Sequence, residues 1–191
     1  MTITATTLEQ LDTPALLVDA VRYEQNIKAC FVLFAGTGVT VRPHLKTAKS
    51  PVIAKHLLRA GARGVCVAKL GEAEVMAVHG IEDILVTTEI VGALKVRRLV
   101  ELVARHNEVK TVVDSIAGAN AINAVAGELG VCVKVLLDVN VGQNRCGVEP
   151  ETAAEFARNL EPFHNLELIG QKLERTCCRV RPLYPFKRRD S

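Results

Sequence analysis

Val39-Thr40-Val41-Arg42-Pro43-His44-Leu45-Lys46-Thr47 reads as a β-strand that ends in chemistry. Alternate side chains of a strand share a face. Thr40, Arg42, His44 and Lys46 therefore lie on one side, and Val39, Val41, Pro43 and Leu45 on the other. Strands of parallel sheets are usually covered on both faces. A polar row in such a place is costly unless each group has a partner or a task. A lysine sheltered at a strand end is a candidate for imine chemistry, because shelter favours the neutral, nucleophilic amine. A lysine that simply reaches water past the strand end explains the local pattern as well, and both readings stand at this point.

Outward from this stretch, short β-branched runs alternate with helical stripes. The strand candidates are Ala15–Asp19, Val39–Lys46, Gly64–Lys69, Asp83–Glu89, Val109–Ser115, Val131–Asn140 and Leu166–Gly170. Ile53, His56, Leu57 and Ala60 share one helical face, as do Val96, Leu99, Val100 and Val103. Ile122, Val125 and Leu129 form a third stripe, and Ala153, Phe156, Ala157 and Leu160 a fourth. These are the spacings of amphipathic helices. Ser50-Pro51 has the form of an N-cap followed by proline at the first helical position. Gly61, Gly80 and Gly130 stand where helices close before the next strand.

Repeated βα units predict an α/β fold with a parallel sheet, either an open doubly wound sheet or a (β/α)₈ barrel. The first strand runs into Asp19-Ala20-Val21 without a glycine-rich phosphate loop, which weighs against the nucleotide-binding form. Polar residues gather at the C-terminal strand ends: Asp19, Lys46, Lys69, Glu89, Asp114, Asp138 and Asn140. In a barrel that end builds the active site, and one surface then accounts for all of them. Loops begin there in any case, which is explanation enough for Asp19 and Asp114. The pattern amounts to six βα units and the start of a seventh, so the barrel expected is incomplete. Residues 1–170 make up the barrel portion. From Gln171 to Ser191 the chain loses both periods and carries seven Lys/Arg against two Asp/Glu, and this segment is expected to be a disordered basic tail unrelated to the barrel.

Composition narrows the classes. Of 191 residues 49% are hydrophobic but only 4% aromatic, with no Trp, so the core is aliphatic. A net charge of +3, and a basic tail without interleaved aromatics, give no reason to expect a nucleic-acid or membrane partner. Cys66 and Cys132 lie in apolar runs and read as small core residues. The six cysteines show no paired zinc spacing, so no metal ligands are assigned. Without a basic-then-apolar leader or a long apolar run, a cytoplasmic setting is expected.

A second motif follows the most apolar strand: Asp138-Val139-Asn140-Val141-Gly142-Gln143-Asn144-Arg145-Cys146-Gly147-Val148. Gly142 and Gly147 permit unusual backbone turns and hold Arg145 between them. A guanidinium there suits an oxyanion or carboxylate. An exposed loop arginine is the plainer alternative.

Thr13-Pro14-Ala15-Leu16-Leu17-Val18-Asp19 with Asn26-Ile27, Arg42 to Thr47, Val65 to Glu74, Asp83 to Glu89 and Asp138 to Val148 together resemble, in order, the D-threonine aldolase and D-serine dehydratase family. That family has the alanine-racemase type of barrel, fold type III of the pyridoxal-phosphate enzymes. The resemblance runs from about Leu11 to Gly170. It implies that Lys46 forms an imine with pyridoxal 5′-phosphate and that Arg145 sits by the phenolic oxygen of the cofactor. It also implies that His44 and Gln143 are near neighbours of it. The cofactor acts as an electron sink for a carbanion at Cα of a D-amino acid. Aldolases of the family cleave Cα–Cβ of β-hydroxy-D-amino acids, and dehydratases eliminate the hydroxyl. A divalent metal held by a His and a Cys near the family's C-terminus assists both.

Family members are considerably longer. The last barrel strands, the phosphate-holding loops, the C-terminal β-domain and the metal ligands have no counterpart in this sequence, and Cys177-Cys178 do not match them. The expectation is thus a truncated or frameshifted lyase of small D-amino acids, inactive alone and possible as a homo-oligomer. The alternatives are a non-catalytic pyridoxal-phosphate-binding barrel of the cofactor-homeostasis type, and an unrelated α/β binding module with a structural lysine.

Overall fold

A computed structural model describes residues 7–174. Five strands form one sheet: β1 (Val65–Val67), β2 (Ile84–Val86), β3 (Val109–Val113), β4 (Val133–Asn140) and β5 (Leu166–Glu174). The helices are α1 (Ala20–Phe34), α2 (Pro51–Arg59), α3 (Leu70–Val78), α4 (Ala93–Arg105), α5 (Ile116–Leu129) and α6 (Ala153–Asn159). Each strand pairs in parallel with the next in sequence, in the order β1-β2-β3-β4-β5. A doubly wound sheet reverses its strand order at a switch point. This one never does, and it forms part of the wall of a (β/α)₈ barrel.

The outer face is the core. Val65, Val67, Ile84, Val86, Val109, Val133, Val135 and Leu137 are wholly buried. Val96, Leu99, Val100 and Val103 of α4 pack on them, as do Ile122 of α5 and Ala153, Phe156 and Leu160 after β4. The stripe at 122–129 is only partly interior, since Leu129 is an exposed hydrophobic. Ser50 caps α2 through its Oγ, which accepts from Ile53 N. Gly61, Gly80 and Gly130 all take positive φ at helix ends.

The inner face carries charge at its N-terminal end. Arg42 grips the Asp83 carboxylate with two hydrogen bonds of 2.8 and 2.7 Å. Lys110 adds a third at 2.6 Å and bonds Glu108, which also pairs with Lys134. Burial pushes the Asp83 carboxyl up, but the bonds from Arg42 and Lys110 outweigh it and hold the group below its ordinary value. Gly64 must be glycine here, because a Cβ would lie 2.3 Å from Arg42 Nη1 and 2.5 Å from Asp83 O.

Several expectations are corrected. Seven strands were predicted, and five form among the described residues. Val39–Lys46 is a parallel ribbon beside β1 rather than a full strand. Arg63 N donates to Val41 O, Cys66 N to Pro43 O, and Leu45 N to Cys66 O, with one bridge at His44. Proline has no N–H to extend that ladder. Ala15–Asp19 is unpaired and exposed, with Leu16 fully so. The first strand of a closed ring lies between the second and the last, and no such closing neighbour is among the described residues. Asp19 instead caps α1, accepting from Arg22 N at 3.0 Å. Cys132 is exposed, standing just before β4, whose first buried residue is Val133; Cys66 is half-buried. The last strand runs four residues past Gly170, with Gln171, Lys172, Leu173 and Glu174 paired to Leu137, Asp138, Val139 and Asn140. The rest of the 171–191 segment lies outside the described residues. Among these no helix is long and apolar enough to cross a membrane.

Candidate functional site

Lys46 emerges at the C-terminal end of the sheet, just past the bridge between His44 and Cys66. Leu45 anchors the ribbon, being 2% exposed on the opposite side. His44 fixes the turn. The Thr87 hydroxyl donates to Val67 O at 3.0 Å, so its oxygen is left to accept from His44 Nε2, also at 3.0 Å. The imidazole thus carries hydrogen on Nε2, and Nδ1 accepts from the Lys46 backbone N–H at 3.2 Å. The Lys46 side chain itself is exposed.

Arg145 is held by a loop tied down at both ends. Asn140 Oδ1 accepts from Gly142 N and Asn144 N at 3.2 and 3.0 Å. Asn140 Nδ2 donates to Asn144 Oδ1 and Glu149 Oε1. Further on, Gly147 N donates to Asp114 Oδ2 at 3.1 Å, and Val148 N to Asp138 O. Gly147 has φ +91°, and a Cβ there would lie 2.7 Å from Asn140 N, so only glycine closes the loop. Arg145 is exposed. Gln143 is half-buried, with its Oε1 shut from water and without a hydrogen-bond donor.

Beneath this loop lies an ionisable group. Asp138 is fully buried and bonded to Lys172 Nζ at 2.7 Å. Cys146 Sγ lies 3.6 Å from the same Asp138 oxygen, and burial, then Glu89 and Asp138, push its thiol up to about 11. One donor atom each from Glu89, Asp138 and Cys146 lies within 4.8 Å of the others. The ammonium already on Asp138, and a thiol that keeps its proton, make this a poor cation site.

The structure therefore gathers His44 and Lys46 in one turn, Gln143 and Arg145 in one loop, and both at the same end of the sheet. Sequence reasoning assigned no role to Thr87. It treated Asp114 as an ordinary strand-end residue, whereas Asp114 pins the arginine loop. The signal for both was available: each continues the inner-face alternation of its strand.

The family model described as alanine racemase, N-terminal domain, matches residues 18–171. The chain is 36% identical over 157 residues to a D-threonine aldolase of Arthrobacter sp., covering 80% of this chain and 41% of that protein. It is 36% identical over 142 residues to a D-threo-3-hydroxyaspartate dehydratase of Delftia sp. strain HT23, covering 74% and 37%. Among solved structures, D-threonine aldolase from Filomicrobium marinum superposes with a TM-score of 0.82 at 34% identity, over 86% of this chain and 44% of that one. The chain spans about two-fifths of the length of the curated relatives it matches.

Proposed function

The chain belongs to the alanine racemase N-terminal domain family, and on that premise we propose that it holds pyridoxal 5′-phosphate at the C-terminal ends of its strands for lyase chemistry on β-hydroxy-D-amino acids. The observation that carries this reading is the pairing of an exposed primary amine with an exposed guanidinium at one end of one sheet, each on a backbone fixed by its own hydrogen bonds. Both groups suit an aldehyde cofactor with an anionic phenolic oxygen, the amine for the imine and the guanidinium for the oxyanion. The donor set fits it: Lys46 as the covalent anchor, Arg145 for the oxyanion, and His44 and Gln143 beside them. When bound, the cofactor supplies the electron sink that Cα–Cβ cleavage or β-elimination requires.

The protein's own contribution is placement. His44 orients the Lys46 backbone through Nδ1 and is itself held by Thr87. Asp114 and Asn140 keep Arg145 from swinging away. Preorganised groups of this kind act without reorganising when charge develops. The substrate class follows the named relatives, an aldolase of D-threonine and a dehydratase of D-threo-3-hydroxyaspartate. In full-length relatives a divalent metal is expected to assist at the substrate hydroxyl; its ligands have no counterpart in this sequence.

Titration of the purified chain with pyridoxal phosphate, followed by assay of D-threonine, D-serine and 3-hydroxy-D-aspartate, tests the proposal. A new visible absorption band lost in Lys46→Ala supports it, and no band in either protein overturns it. Binding without turnover on any substrate, even with the remainder of a family barrel supplied, favours the cofactor-carrier alternative.

A further inference from the structure

Glu89 Oε1 and Asp138 Oδ1 are both shut off from water, and neither has a hydrogen-bond donor. The two carboxyl groups are nonetheless neighbours, with one oxygen of each within 4.8 Å of the other. Two ionised carboxylates cannot satisfy one another, since each only accepts. One proton between them turns one carboxyl into a donor for the other. Lys172 decides where it sits: its ammonium, 2.7 Å from Asp138 Oδ2, anchors the negative charge on Asp138 and leaves the proton to Glu89. The trio of neutral Glu89, Asp138 carboxylate and Lys172 ammonium is then balanced in charge.

This trio lies under the arginine loop. Cys146, next to Arg145, contacts the shared Asp138 through Sγ, and the Val148 N–H donates to the Asp138 backbone carbonyl. We infer that Glu89 and Asp138 share a single proton at neutral pH, and that this pair is a positioning device for the loop carrying Gln143 and Arg145. Loss of the proton places two like charges side by side and disturbs the Asp138 contacts on which the loop rests. The use of this device in cofactor binding rests on the proposed function; the proton itself does not.

The surroundings agree. Burial, then the neighbouring Asp138 and Asp114, raise the Glu89 carboxyl to about 7. The charged and titratable groups facing it are Asp114 after β3, Asp138 of β4, Cys146 of the loop and Lys172 of β5. Glu89 also lines a cavity of about 670 Å³, whose other charged lining residues are Lys49, Lys69, Glu72, Lys95 and Arg98. Lys49 is paired with Glu72 and Arg98 with Glu74.

The test uses the whole chain without cofactor, with carboxyl carbons and backbone amides followed by NMR from about pH 4 to about pH 9. The Glu89 carboxyl should titrate with a midpoint near 7. The Cys146 and Gly147 amides should move with the same midpoint. In Asp138→Asn the Glu89 midpoint should fall, and in Glu89→Gln the loop amides should no longer respond near neutrality. A Glu89 midpoint in the ordinary carboxylate range would overturn the inference, and so would loop amides that titrate unchanged in Glu89→Gln. Because no cofactor is present, neither outcome depends on whether the chain binds pyridoxal phosphate.

Discussion

His44 Nε2 and Thr87 Oγ1 lie 3.0 Å apart, and the same imidazole accepts the Lys46 backbone N–H through Nδ1. Residues 43 positions apart in sequence thus set the direction in which the candidate anchor lysine leaves the sheet. Thr87→Val removes the acceptor while keeping the shape. A net hydrogen bond is worth about 1 kcal/mol, so pyridoxal-phosphate affinity should weaken about fivefold. Stability should also fall, by about 1 kcal/mol for each of the two hydrogen bonds lost, to His44 and to Val67 O. An absorbance titration and a denaturant melt of both proteins check these.

Gly147→Ala should do more. Its Cβ would meet Asn140 N at 2.7 Å and the Val139 carbonyl carbon at 2.9 Å, at a φ of +91°. The loop must open, and Arg145 moves with it. The expected result is a loss of cofactor affinity of about tenfold or more with the sheet intact, as judged by circular dichroism. Unchanged affinity would remove Arg145 from the site.

The charged N-terminal end of the barrel predicts an acid response. Asp83 is held below its unfolded value, so its contribution is present above the usual aspartate range and is lost as pH falls through the lower, folded value. Asp83→Asn leaves Arg42 and Lys110 without their shared carboxylate and should cost about 2 kcal/mol at neutral pH. That deficit should shrink as pH falls from the usual aspartate range toward the lower, folded value, because protonation of the unfolded carboxyl removes the wild-type advantage. Denaturant melts at about pH 7 and about pH 3 check both halves.

The strand candidates from Gly64 onward were readable because their apolar residues recur at the period of buried strands, and the helices because Val96, Leu99, Val100 and Val103 recur at the period of one helical face. The barrel, rather than an open sheet, was readable from where the polar residues fall. Pairing was not readable. Ala15–Asp19 has the composition of a strand, but its partner must come from elsewhere in the ring, and composition does not report partners. Within the site, Lys46 and Arg145 stood out as functional types in special contexts. Thr87, Asp114 and the Glu89–Asp138 contact depend on register between strands, which one sequence does not display.

The outer edge of β5 has no pairing partner among the described residues, and Leu168, Ile169 and Leu173 are exposed along it. Such edges template association. The chain should associate with rising concentration in sedimentation velocity, and Leu173→Lys should reduce that association. A monodisperse monomer with a two-state melt at all concentrations would contradict the open-edge account.

Lys46 is the proposed anchor of pyridoxal phosphate. Borohydride reduction of the chain equilibrated with pyridoxal phosphate, followed by peptide mass mapping, tests it most directly. The reduced pyridoxyl group should appear on Lys46. Label on Lys49, Lys55 or Lys69 with none on Lys46 would contradict it.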